Sequence, residues 1–198
     1  MGFFTTKKSE EPLPADMLVA DHSAGLLTEV WSWTKSILIA LLIVALVHQY
    51  GFHLSTVKGA SMQPTLEENE LLFINKTVHF LGSPSRGDVV VVKEPESSEP
   101  QSIFLVKRVV AVAGDEVRIQ QGKLYVNGLF ATESYTDSLI EDGSLEPYTI
   151  PQGSLFVMGD NRHRLASYDS RSFGAVSVDK IEGRAEFIVW PLSKLRML

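Results

Sequence analysis

The chain has no cysteine. That one absence excludes a thiolate nucleophile, a disulfide framework and Cys-ligated metal sites. Histidine is scarce, with five in 198 residues. None stands in an H-E-x-x-H pattern or among carboxylates at ligand spacing, so no metal and no other cofactor is expected. No glycine-rich phosphate loop is present. Positive charge is in deficit: 18 Lys and Arg against 24 Asp and Glu give a net charge of −6. Without a clustered basic stripe there is no surface for phosphate backbones, which argues against a nucleic-acid partner. No internal repeat is visible, and long apolar runs are reduced to one.

That run is Ser36-Ile-Leu-Ile-Ala-Leu-Leu-Ile-Val-Ala-Leu-Val47. Extended from Trp31 or Trp33 through Phe52, it reaches the ~20 residues that cross a bilayer. Lys35 can snorkel to the headgroups, and Trp31, Trp33, Tyr50 and Phe52 lie at its two ends as an interfacial belt would. Two rival readings fit less well. A cleaved export signal does not carry an acidic lead of residues 1–28, and no small-residue cleavage pattern follows Val47. A buried core helix fits less well because the run is apolar around all its faces. The expected organisation is a polar tail over residues 1–28, with Glu10, Glu11, Pro12 and Pro14, an anchor helix over 29–53, and a globular part over 54–198. Lys7, Lys8 and Lys35 precede the span and Lys58 follows it. By the positive-inside rule the N-terminus is cytoplasmic and the C-terminal part lies outside, held at the lipid bilayer of the cell membrane.

Beyond the run the chain reads as β. Glu70–Asn75, Asp88–Lys93, Ile103–Val112, Glu116–Gln120 and Lys123–Asn127 are short, β-branched and bounded by turn residues. Gln121-Gly122 and Asn127-Gly128 are two-residue turns. Thr149–Ile150, Ser154–Met158 and Ala185–Trp190 add strands, while Ser172–Lys180 does not alternate. The polar stretch Thr132–Glu146 breaks the pattern, so residues 122–150 are expected as a small excursion. The fold class is mainly β, a barrel or coiled sheet with one N-terminal transmembrane helix.

Two residues suggest chemistry. Ser61, in Gly59-Ala-Ser-Met-Gln-Pro-Thr-Leu66, lies between small residues and a Pro turn, exposed enough to attack a carbonyl. A serine needs a base. His22, His48, His53 and His79 lie in the tail, at the membrane edge or in a loop-like segment. His163, beside Asp160 and Asn161, leaves a Ser–His–Asp triad open, although a histidine in a charged loop is commonly solvated. Lys107 lies within the apolar strand Ile103–Val112. It points either out to solvent or into the protein, where desolvation would leave a neutral amine able to take the serine proton.

Four boxes now stand in order behind the anchor: Ser61-Met-Gln-Pro-Thr-Leu66, Arg86-Gly-Asp-Val-Val-Val91, Lys107-Arg-Val-Val-Ala-Val-Ala-Gly-Asp115, and Gly159-Asp-Asn-Arg162 with Ser167-Tyr-Asp-Ser-Arg-Ser-Phe-Gly174. Over residues 30–192 the chain resembles the bacterial type I signal peptidases. The resemblance implies a membrane-bound serine endopeptidase that removes signal peptides from exported preproteins after small residues at the first and third positions before the cut. It implies Ser61 as nucleophile and Lys107 as general base, with the Ser61 backbone N–H in the oxyanion hole. It also implies Ser167 as the hydroxyl that orients the lysine, an Asp169–Arg171 ion pair nearby, a monomer, and signal peptides as partners.

Two departures stand out. Gly59 occupies a position where some members carry an oxyanion-stabilising serine, and His163-Arg-Leu-Ala166 makes the loop before Ser167 longer than usual. Asp160 and Asn161 read best as turn residues, and Asp88 and Asp115 as turn or ion-pair residues, with no Asp-Thr-Gly pair for an aspartic protease. A tethered β-barrel without activity is disfavoured by the presence of both Ser61 and Lys107. A self-cleaving repressor relative would need a DNA-binding N-terminal domain where the apolar span lies.

Overall fold

The computed structural model describes residues 15–78, 82–94 and 103–198. Lys7, Lys8, Glu10, Glu11, Pro12 and Pro14 of the expected tail, and His79, lie outside them. The chain divides into two units, Met1–Leu46 and Val47–Leu198.

Helix α1 runs Ala15–Tyr50. It starts well before Glu29, so part of the segment read as a loose tail is helical. Within it, Thr28–Leu46 is long and apolar enough to cross a membrane by length and composition. Trp31, Trp33, Ile37, Leu41 and Leu42 on it are all exposed. The helix stops at Tyr50, earlier than the expected boundary. Gly51 breaks it, and Phe52–Thr56 alternates as strand β1 instead.

The second unit holds two antiparallel sheets. The strands of the larger are β1, β2 (Leu71–Asn75), β3 (Val89–Lys93), β4 (Phe104–Val112), β9 (Ser154–Met158), β10 (Val176–Ser177), β11 (Ile181–Trp190) and β12 (Arg196–Met197). Their order is β1-β2-β11-β3-β4-β9-β10, with β12 on β11. The smaller sheet is β7-β6-β5-β8, from β5 (Glu116–Gln120), β6 (Lys123–Val126), β7 (Leu129–Phe130) and β8 (Leu145–Thr149). The two turns foreseen in this sheet take left-handed backbone at Gln121, Gly122, Asn127 and Gly128, as two-residue hairpins need. β8 begins inside the polar stretch and runs past it; Pro147 hides its alternation, and an edge position tolerates the proline.

Central strand β3 is buried throughout Val89–Val92 because both its faces are covered. Val89 and Val91 pack with Val57, Met62, Leu66 and Ile74, while Val90 and Val92 pack with Val109, Leu155 and Val157. A third cluster gathers residues of both sheets, with Phe156 and Met158 from the larger against Val117, Ile119 and Leu124 from the smaller. Of the aromatic residues, Phe73 stacks between Phe52 and Phe187, at 5.0 and 6.1 Å.

Phe156 is fully buried where the sheets meet. Phe156→Ala is expected to cost about 3–5 kcal/mol through lost contacts and the cavity left behind, which lowers Tm by roughly 10 °C. Thermal unfolding in detergent measures it, and an unchanged Tm would mean that the sheets do not depend on this contact.

Candidate active site

Ser61 lies in the 57–70 connection between β1 and β2. Gly59, at φ 81, bends the chain before it. Met62 and Leu66, both fully buried, pin the turn after it, and Leu66 N–H closes on Met62 O at 2.8 Å. The connection then crosses to the segment after β9. Asn161 N–H donates to Ser61 O at 3.1 Å, and Asn161 Nδ2 donates to Ala60 O at 3.0 Å. Asn161, read from sequence as a turn residue, thus clamps the serine's own backbone.

Lys107 is on β4 and only 2% exposed, which decides the question of its direction. Its Nζ donates to Ser61 Oγ at 2.7 Å. Burial lowers its pKa to about 8; Asp169 and Asp160 oppose this, and Arg171 adds to it. A lysine so placed is neutral far more often at physiological pH than one in water.

Asp169 is fully buried and is the N-cap of helix α2 (Ser170–Phe173), accepting Arg171 N–H. Its carboxylate receives Arg171 Nε at 2.9 Å, Arg171 Nη2 at 3.0 Å and Gly159 N–H at 3.1 Å. Burial acts against the charge, but these donors win and hold the pKa below the usual carboxylate range. The expected Asp169–Arg171 pair is therefore formed, and for Arg171 the same contact outweighs burial and raises the pKa. Ser167 is placed differently from expectation. Its Oγ is buried and makes no hydrogen bond of ordinary geometry, while lying near enough to Asp169 to favour that carboxylate. It abuts Gly159: a β-carbon there would stand 2.3 Å from Ser167 Oγ and 2.4 Å from Ser61 O. Only glycine lets these two serines approach so closely.

Asp160 is more than a turn residue. It is fully buried and takes Arg108 in a two-pronged contact, Nε to Oδ1 at 2.9 Å and Nη2 to Oδ2 at 2.6 Å, with Thr65 Oγ1 at 2.5 Å. Arg108 also stacks over Tyr135 at 4.1 Å. Arg162, fully buried, forks onto Glu133 at 2.6 and 2.8 Å and donates to Gly159 O at 2.7 Å. These roles were hidden because Glu133 and Tyr135 lie in the polar stretch, which carries no periodicity to place them. Asp115 pairs with Arg86 and Asp88 with Arg184, as their reading allowed. His163 is exposed and engages Glu141 at 2.9 Å and Asp137 at 3.7 Å, not Ser61. The Glu141 contact raises its pKa. Among the described residues no His, Asp and Glu cluster could hold a metal ion.

Comparison with known proteins matches residues 30–190 to the family described as "Signal peptidase, peptidase S26". The chain belongs to the signal peptidase family. Signal peptidase I T of Bacillus subtilis (strain 168) is 36% identical over 83% of this chain and 87% of its own length. Signal peptidase I of Bacillus licheniformis is 32% identical over 90% of this chain and 98% of its own. A crystal structure of a signal peptidase I from Enterococcus faecalis V583 is 28% identical, with a TM-score of 0.42 over 51% of this chain and 95% of that one. Membership makes this signal peptidase a hydrolase, a serine peptidase that removes signal peptides from preproteins.

Around the site the Arg108–Asp160 pair is the group most exposed to loss. Asp160→Ala leaves a buried guanidinium without its carboxylate and is expected to cost about 3–5 kcal/mol, whereas Arg108→Met with Asp160→Leu together should cost much less. Denaturant unfolding of the three proteins checks this. A double variant as unstable as the single one would contradict the electrostatic account.

Proposed function

We propose that Ser61 is the nucleophile and Lys107 its general base. The 2.7 Å contact between the buried amine and the serine hydroxyl carries this reading. Neutral Lys107 takes the Ser61 proton as Oγ attacks the scissile carbonyl. The ammonium then protonates the leaving amine, and Lys107 activates the water that hydrolyses the acyl-enzyme. The Ser61 N–H holds the oxyanion, and Gly59 presents no side chain to obstruct the approach. Asp169 and Arg171 act on Lys107 through charge, and Ser167, which abuts Gly159, is proposed to orient the lysine.

The substrate fits as an added strand. β9 pairs with β4 only from Arg108 onward, so among the described residues Phe104–Lys107 has strand partners on the β3 side alone. β1 is the edge of the same sheet. An extended peptide placed along these edges runs through a cleft of about 340 Å³ lined by Thr56, Lys58, Val91, Phe104 and Val106 beside the dyad. Small residues at the first and third positions before the cut suit such shallow space, which rejects larger side chains by clash.

Thr28–Leu46 is the proposed single membrane anchor, because it is long and apolar enough to cross a bilayer and its apolar residues are exposed. The tail is then cytoplasmic, and residues 54–198 act as a monomer outside, with 122–150 as the excursion. Phe73, Phe80, Leu81 and Trp190 are the proposed contacts to the bilayer surface; Trp190 is 57% exposed and Phe73 half-buried, while Phe80 and Leu81 lie outside the described residues.

Ser61→Ala and Lys107→Met should each reduce cleavage of a signal-peptide substrate by more than about a thousandfold. His163→Ala should leave it nearly unchanged. Because only neutral Lys107 is competent, kcat/KM should rise with pH through a limb near pH 8, the value set by burial. Retained activity in either dyad variant, or a limb that persists after Lys107 is replaced, would overturn the assignment.

A further inference from the structure

The 163–165 loop is unused by the proposed chemistry, yet it is held in a strained conformation. Leu165 lies at φ 59, a left-handed backbone that a branched side chain rarely adopts. Its side chain is 86% exposed, so packing does not hold it there. Polar contacts do. Leu165 N–H donates to Asp142 Oδ2 at 2.8 Å, and Arg164 N–H donates to Glu141 Oε2 at 3.0 Å. His163 Nδ1 meets Glu141 Oε1 at 2.9 Å, and Glu141 N–H donates to Arg162 O at 3.0 Å. Strain persists where the surroundings over-determine it, and such places cluster at functional sites.

Asp142 serves two tasks with its two oxygens. Oδ2 holds the loop. Oδ1 accepts Arg171 Nη1 at 2.5 Å, and the Asp142 carbonyl accepts from the same nitrogen at 3.3 Å. The other Arg171 nitrogens, Nε and Nη2, go to Asp169. Arg171 is therefore a bridge between two carboxylates, one of which acts on Lys107. Its side chain is only 10% exposed and that of Asp142 24%, so solvent does not screen the bridge away. The charged groups that act on Lys107 are Asp169, Arg171 and Asp160, and Asp160 is neutralised by Arg108. Around the loop the charges are His163, Arg164, Asp137 and Glu141, of which His163 pairs with the two carboxylates.

We propose that Asp142 is a positioning residue of this site: by taking one nitrogen of Arg171 for itself, it sets how much of the guanidinium charge is spent on Asp169, and so how strongly Asp169 acts on Lys107. The inference rests on the Ser61–Lys107 reading. It gives the long loop a purpose, because the loop's N–H groups fix the carboxylates of the 141–142 turn in place. Without the Asp142 charge, Arg171 turns its whole charge on Asp169, the negative field at Lys107 weakens, and the ammonium is favoured less.

The test is the acid limb of kcat/KM for the full chain in detergent. Asp142→Asn removes the charge and keeps an oxygen for Leu165 N–H. Its limb should move to lower pH by about half a unit, roughly a threefold relative gain on the limb. Asp142→Glu should return the limb toward the native position. Glu146→Gln, which removes an exposed carboxylate outside this network, should leave it in place. A folded Asp142→Asn protein with the native limb overturns the proposal and reduces Asp142 to a loop anchor. Should that variant fail to fold, Asp142→Ser reads the same shift, with the same outcomes for and against. Activity in Ser61→Ala would instead sink the dyad reading beneath it, so the two failures are separable.

Discussion

The site depends on keeping an amine out of water beside a serine hydroxyl. A lysine in solvent is a cation at neutral pH and cannot accept a proton. Here β4 carries Lys107 into the interior, where desolvation lowers its pKa to about 8. Desolvation alone would penalise any charge at this position, including the ammonium that the proposed proton transfer would form. Asp169 and Asp160 favour that ammonium, and Arg171 limits their influence. In the proposed role of Lys107 as base, that balance leaves an amine accessible in its neutral form that still holds a proton once it has taken one. Carboxylates and guanidinium groups accordingly surround Ser61 and Lys107.

Buried charge then dictates the neighbouring architecture. Asp169 stays ionised by taking Arg171 and the Gly159 N–H. Arg108 and Asp160 neutralise each other, and Arg162 turns to Glu133. The Arg108–Asp160 and Arg162–Glu133 pairs each join segments far apart in the chain, and Glu133, Tyr135 and Asp142 come from the polar stretch next to the smaller sheet. The excursion thus supplies partners for charges that the main sheet cannot satisfy. Gly159 lies at the centre, where any side chain would collide with both Ser167 and the Ser61 carbonyl.

The strands with strong β-branched patterns were readable from sequence: β2, β3, β5, β6 and β9 fall within a residue or two of their expected bounds. So were the two hairpin turns and the Asp169–Arg171 pair. The direction of Lys107 was not, because both Lys107 and Arg108 are buried on successive positions of one strand, which alternation cannot express. The first two residues of β1, Phe52 and His53, were absorbed into the anchor, since an apolar Phe52 fits a helix as well as an edge strand. Glu133, Asn161 and Asp142 lay beyond reach for another reason. Their roles depend on contacts between segments far apart in the chain, made by irregular backbone with no period to betray them. The hydrogen bond expected between Ser167 and Lys107 is also a matter of fine geometry, and the structure puts Ser167 against Gly159 instead.

The most direct measurement is the titration of Lys107 itself, by carbon-13 NMR of its labelled ε-carbon in the full chain, with Lys107→Met identifying the signal. The account predicts a midpoint near pH 8, as burial beside Ser61 requires. A midpoint near the ~10.4 of a solvated lysine would contradict it, because Lys107 would then be a cation throughout the physiological range and could not serve as the base.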